Sequence, residues 1–97
     1  MSLRGHPVEE EAVLADGRAL RVRIGVPDDP YIRKRELDTV AVEIWNGEQA
    51  LATVNSILSA NQTEEARRIA REIVSALERG EIEPTAGAIE PFAERIP

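Results

Sequence analysis

The 97-residue chain has no cysteine, one histidine, one lysine and only three aromatic residues, Tyr31, Trp45 and Phe92. Each shortage removes a class of chemistry. Without cysteine there is no disulfide framework, thiolate nucleophile or cysteine-ligated zinc, and that composition fits a reducing cytoplasm. A nucleophilic triad needs a base beside its nucleophile, almost always histidine. The sole histidine, His6 in RGHP, lies near a terminus expected to fray, so no catalytic or metal role is assigned to it. Transition-metal sites need clusters of His or Cys, which one histidine cannot supply. Neither GxGxxG nor GxxxxGKS/T occurs, so no phosphate cradle is expected. No apolar run approaches the roughly 18 residues that cross a bilayer, and Met1 to Pro7 lacks the apolar stretch of a secretory signal.

Carboxylates are plentiful but badly placed for a hard cation. Glu9-Glu10-Glu11 would alternate faces along a strand, so the three cannot converge. Asp28-Asp29 lacks the spacing of a calcium loop. The expectation is a protein that is not an enzyme, with no metal and no cofactor.

What is present describes a small globular domain. Apolar residues make up 42% of the chain, enough for one core when so few are aromatic only if Val, Ile, Leu and thirteen alanines fill it. At this size folding removes roughly two thirds of the unfolded surface from water. Residues 1–97 therefore read as one domain, with 1–7 flexible and 81–97 an irregular tail. Eleven of twelve cations are Arg and fourteen of eighteen acids are Glu, a bias that fits a GC-rich bacterial genome. The net charge of −6 repels nucleic acid at long range, so phosphate binding would require a local basic patch.

Two hairpins are legible. Asp16-Gly17 suits a type I′ turn and pairs Leu14 with Ala19, Val13 with Leu20, Ala12 with Arg21 and Glu10 with Arg23. Val13, Leu20, Val22 and Ile24 then share the buried face, and Glu10, Ala12, Arg21 and Arg23 the wet one. VPDDPYIRKRE, with two prolines around two aspartates, takes the chain out of the sheet. A second hairpin on Asn46-Gly47 pairs Ile44 with Gln49, Val42 with Leu51, Ala41 with Ala52 and Trp45 with Glu48. Residues 48–58 also fit helical spacing, which would give a βββαα fold; β-branched Thr53 and Val54 favour the strand.

TEEARRIAREIVSALERG is the clearest element. Thr63 is the expected N-cap, Glu64 and Glu65 sit where the helix dipole favours anions, and Gly80 follows at C′. Ala66, Ile69, Ala70, Ile73, Val74 and Leu77 form one apolar stripe. A short turn of helix is expected near Pro91. The fold class is α+β: a four-stranded, mainly antiparallel sheet of two hairpins, with one long C-terminal helix packed on one face.

Two features remain as candidate binding residues. Tyr31, Arg33, Lys34 and Arg35 place a stacking ring beside three cations, as single-stranded nucleic-acid sites do. Asp28, Asp29, Glu36 and Asp38 neutralise that patch locally, as in a solvated connector. Trp45, the sole tryptophan, either closes the end of the core or anchors a partner. The leading expectation is a non-catalytic accessory or regulatory module that contacts protein, as a homodimer or with another chain, and no membrane. The alternative is a single-stranded nucleic-acid-binding module using residues 31–35, helped by Arg67, Arg68 and Arg71.

Overall fold

The computed structural model describes residues 3, 6–26, 40–56, 58 and 61–94, and shows an α+β fold. Strands β1 (Val8–Val13), β2 (Ala19–Gly25), β3 (Val40–Asn46) and β4 (Gln49–Ser56) form one antiparallel sheet in chain order. Helices α1 (Thr63–Glu78) and α2 (Ala86–Ala93) follow. Two differences from the sequence reading concern architecture. The hairpins are joined by β2–β3 pairing into a four-strand meander, and the expected tail contains a second helix.

α1 lies over β1 and β2, while α2 lies against β4 and the side of α1. Both therefore serve the same sheet face. Leu20, Val22 and Ile24 of β2 and Val40, Val42 and Ile44 of β3 are all buried in the core beneath them. α1 contributes Ala66, Ile69, Ala70, Ile73 and Leu77, with Val74 half-buried at the margin. α2 adds Ile89 and Ala93. Burying a Val, Leu or Ile side chain is worth about 1.5–3 kcal/mol, so these branched residues dominate the favourable side of the balance.

The first hairpin is one residue out of the expected register. Val13 pairs with Ala19, Ala12 with Leu20, Glu10 with Val22 and Glu9 with Arg23. The loop explains how: Gly17 N–H donates to the Leu14 carbonyl at 2.9 Å, Leu14 N–H donates to the Arg18 carbonyl at 2.8 Å, and Gly17 has φ 93°. This is a β-turn followed by a glycine bulge, which needs positive φ only at glycine, whereas type I′ would have required it at Asp16 also. Asp16 instead caps the loop, its carboxylate accepting from Arg18 N–H at 3.0 Å. That backbone bond, helped by the Arg18 guanidinium, holds the exposed Asp16 carboxyl below its usual range.

A one-residue slip inverts a whole strand. The expected register would have turned Glu9 and Glu11 toward the helices beside Val13. The observed one turns Glu9 and Glu11 to water and brings Val8, Glu10 and Ala12 inward. Val13 is left 49% exposed and Ala12 is completely buried. Exposing one valine costs less than directing two carboxylates at a core. Glu10, the one acid on that side, reaches Arg71 of α1 at 3.7 Å.

In the second hairpin the loop is Gly47-Glu48, flanked by Asn46 paired with Gln49. Gly47 has φ 61° and no other described residue type takes positive φ, as suits a turn with glycine in the first loop position. Trp45 consequently pairs with Ala50, not Glu48, and the register then shifts so that Ile44 pairs with Ala52 and Val42 with Val54. The extra residue, Leu51, is a β-bulge. It changes which alternate residues of β4 face the helices, bringing Ala52, Val54 and Ser56 inward. Residues 49–56 are strand, as the β-branched residues indicated.

Helix α1 starts one residue earlier than the capping pattern suggests: Gln62, not Thr63, is the N-cap, and its side chain makes no capping bond. Its end follows expectation, with Gly80 at φ 71°. Gly80 N–H donates to the Leu77 carbonyl at 3.1 Å and Glu81 N–H to the Ala76 carbonyl at 2.9 Å, a Schellman closure. The helix near Pro91 begins earlier than expected, at Ala86, because Thr85 caps it: its Oγ1 accepts from Ala88 N–H at 3.3 Å. Pro91 lies inside α2. The bond it cannot donate would cost about 3 kcal/mol in a free helix interior; burial of Ile89 and Ala93 offsets it.

Leu3, in the segment set aside as flexible, is buried in the core, and its carbonyl accepts from Val26 N–H at 3.4 Å. The chain then passes close to the end of β2. A Cβ added at Gly25 would stand 2.8 Å from the Pro7 Cβ, so glycine is needed there.

Candidate interaction surface

The sheet face away from the helices carries Glu9 and Glu11 on β1, Arg21 and Arg23 on β2, Glu43 and Trp45 on β3, and Ala50, Thr53 and Asn55 on β4. Its two halves differ in kind. On the β1–β2 half the charges answer one another. Arg23 Nη1 donates to Glu43 Oε1 at 2.7 Å, and Arg21 and Arg23 each lie 3.9 Å from a Glu9 oxygen. In place of the expected cross-strand pairing of Glu10 with Arg23, Arg23 is flanked by Glu9 and Glu43, a direct consequence of the register.

The β3–β4 half is almost uncharged. Trp45 is half-buried there, between Arg21 on one flanking strand and Ala50 on the other. The Arg21 guanidinium carbon lies 6.0 Å from the centroid of the indole, at the outer limit of a cation–π contact. Trp45 Nε1 is buried with no hydrogen-bond partner among the described residues. Buried donors are satisfied in the large majority of cases, so this one stands out. A shallow cavity of about 350 Å³ beside the ring is bounded by Glu9, Glu11, Ala19, Arg21 and Gly47.

A second, larger groove of about 710 Å³ runs along α1, with Arg67, Arg68, Arg71, Ser75 and Arg79 on its wall and Phe92 of α2 at its side. The three arginines expected to act together do share this surface. Its acids share it too: Arg67 Nη1 donates to Glu64 Oε1 at 2.9 Å, Arg71 is engaged by Glu10, and Arg79 lies 3.3 Å from Glu81. Tyr31, Arg33, Lys34 and Arg35 lie outside the described residues. His6 is exposed, and among the described residues no three His, Cys, Asp or Glu side chains gather as a metal site. None of the described helices is long and apolar enough to cross a membrane.

Three contacts were not legible beforehand. Arg21 beside Trp45 follows only once β2 is paired with β3, a non-local pairing no turn motif announces. Glu78 Oε2 accepts from Val13 N–H at 2.9 Å, fastening α1 to the end of β1. Ser56 Oγ donates to the Ala93 carbonyl at 2.7 Å and accepts from Leu58 N–H at 3.2 Å, tying β4 to the end of α2. Comparison with known proteins adds no further constraint: no family model, curated protein or solved structure matches the chain.

Proposed function

We propose that the chain is a non-catalytic accessory or regulatory module that works through protein contact, as a homodimer. The observation that carries this reading is the uncharged half of the outer sheet face. Trp45 stands there across from Ala50, its Nε1 without a partner among the described residues, and Thr53 and Asn55 continue the same face of β4 as exposed, uncharged side chains. Tryptophan is enriched at the energetic centres of interfaces, where small neighbours allow close approach. Sedimentation equilibrium at micromolar concentration tests it, with a dimer mass expected. A clean monomer at high micromolar concentration removes the reading.

One observation favours a second reading, binding of single-stranded nucleic acid: Arg67, Arg68, Arg71 and Arg79 border one groove. Affinity for phosphates comes from cations that release counterions, and here the acids Glu64, Glu10 and Glu81 already engage three of the four. Arg21 and Arg23 are engaged likewise by Glu9 and Glu43. Binding of a labelled oligonucleotide at about 50 mM salt, weakened steeply by added salt and lost on changing Arg33, Lys34 and Arg35 together to Ala, would establish it. The acidic total predicts no binding.

A further inference from the structure

Taking the chain as a self-associating module, we infer that two copies join through the outer edge of β4, antiparallel about a two-fold axis, into one continuous sheet. Among the described residues the order β1-β2-β3-β4 leaves two edges, β1 and β4. An edge strand offers a row of unpaired backbone donors and acceptors, and proteins usually blunt it with charge, proline or a cover. β4, QALATVNS, has eight residues and neither charge nor proline. Its bulge at Leu51 leaves Ala52–Ser56 as a regular stretch, about the length of an ordinary strand.

Two-fold symmetry makes the composition of β4 decisive. In an antiparallel self-pairing each residue near the axis faces its own strand again, so any charge meets a like charge. An uncharged strand meets no such penalty. Stacking the outer faces instead would take the half-exposed Glu9 and Arg21 out of water, with the desolvation cost that burying ions carries. Edge pairing leaves both solvated. Pairing β4 with β1 of the next copy would repeat without end, but β1 carries Glu9, Glu10 and Glu11 and already gives its Val13 N–H to Glu78. One open edge and one blocked edge close the assembly at two.

The test changes Thr53 and Asn55, both exposed, to lysine in the full chain, with Glu11→Lys as the control on the other edge. Sedimentation equilibrium should show the parent and E11K as dimers, and T53K/N55K with a dissociation constant at least about tenfold higher, its far-UV circular dichroism unchanged. A T53K/N55K chain that dimerises as the parent does overturns the β4 interface while self-association stands. A monomeric parent overturns both. Hydrogen exchange on the parent supplies a readout that needs no variant: amides of residues 52–56 should slow on raising the concentration and those of β1 should not. Equal rates for β4 at low and high concentration, across a range where the mass doubles, would place the interface elsewhere.

Discussion

β1 carries three glutamates in six residues, whereas β4 has no charge in eight. Both are edges of the same sheet, yet each meets the helical layer differently. α1 is fixed to β1 by polar contacts, Glu78 to Val13 N–H and Arg71 to Glu10, which occupy groups at the strand itself. α2 is fixed to β4 through Ser56 and the Ala93 carbonyl, a tie at the strand's last residue that leaves its length alone. The comparison teaches that covering a sheet face and closing a sheet edge are separate tasks. Here the first is done on both sides and the second, among the described residues, on one.

The largest effect should come from the cover over β1. Ile73 is completely buried where α1 crosses the strands. Ile73→Asp would place an unpaired carboxylate there, at a cost of several kcal/mol, about 3–5 if the core does not open to water. Thermal and urea denaturation followed by circular dichroism should find a chain unfolded or close to it. A variant melting with the parent would mean that α1 does not hold its stripe against β1 and β2.

That stripe was legible because a helix announces itself over many residues: the 3.6-residue period, the acidic first turn and the closing glycine agree with one another. The strands were legible as strands but not in register. Register depends on one loop residue, and Asp16-Gly17 serves a three-residue bulged loop as readily as a two-residue turn. Counting acids would have decided it, since only one register turns both Glu9 and Glu11 to water. The Leu51 bulge and the β2–β3 pairing have no local signal at all. They exist because Ser56 must face α2 and because Val22 and Ile24 need neighbours on β3. Trp45 was identifiable from its scarcity, but its neighbours Arg21 and Ala50 depended on those pairings.

A smaller effect should come from the tie on the β4 side. Ser56→Ala removes the hydroxyl that the Ala93 carbonyl accepts from and that Leu58 N–H donates to, both in a buried setting. Two backbone groups lose a partner, so the cost should be about 1–3 kcal/mol. Urea midpoints measure it. Because the bonds lie at the end of β4 and not along its outer side, dimer mass should persist in S56A under conditions where the fold does. Loss of the dimer with the fold intact would show that α2 shapes the interface, and the contrast between face and edge would need redrawing.

The smallest effect on stability, and the sharpest test of the comparison, is Glu78→Ala. It deletes one exposed bond of 2.9 Å to Val13 N–H, and an exposed bond of this kind contributes about 1 kcal/mol or less. The consequence for assembly should be larger than that figure suggests. With Glu78 gone, the end of β1 regains an open donor beside Val13, which is already 49% exposed. Glu9, Glu10 and Glu11 still oppose pairing at neutral pH, so E78A alone should remain dimeric by sedimentation. Adding Glu9→Thr and Glu11→Thr removes the two outward charges and supplies strand-favouring residues in their place. The triple variant should then show species heavier than a dimer, growing with concentration, as β1 of one copy pairs with β1 of another. If it stays a dimer while folding normally, the acids and Glu78 do not block that edge, and something else in β1 distinguishes it from β4.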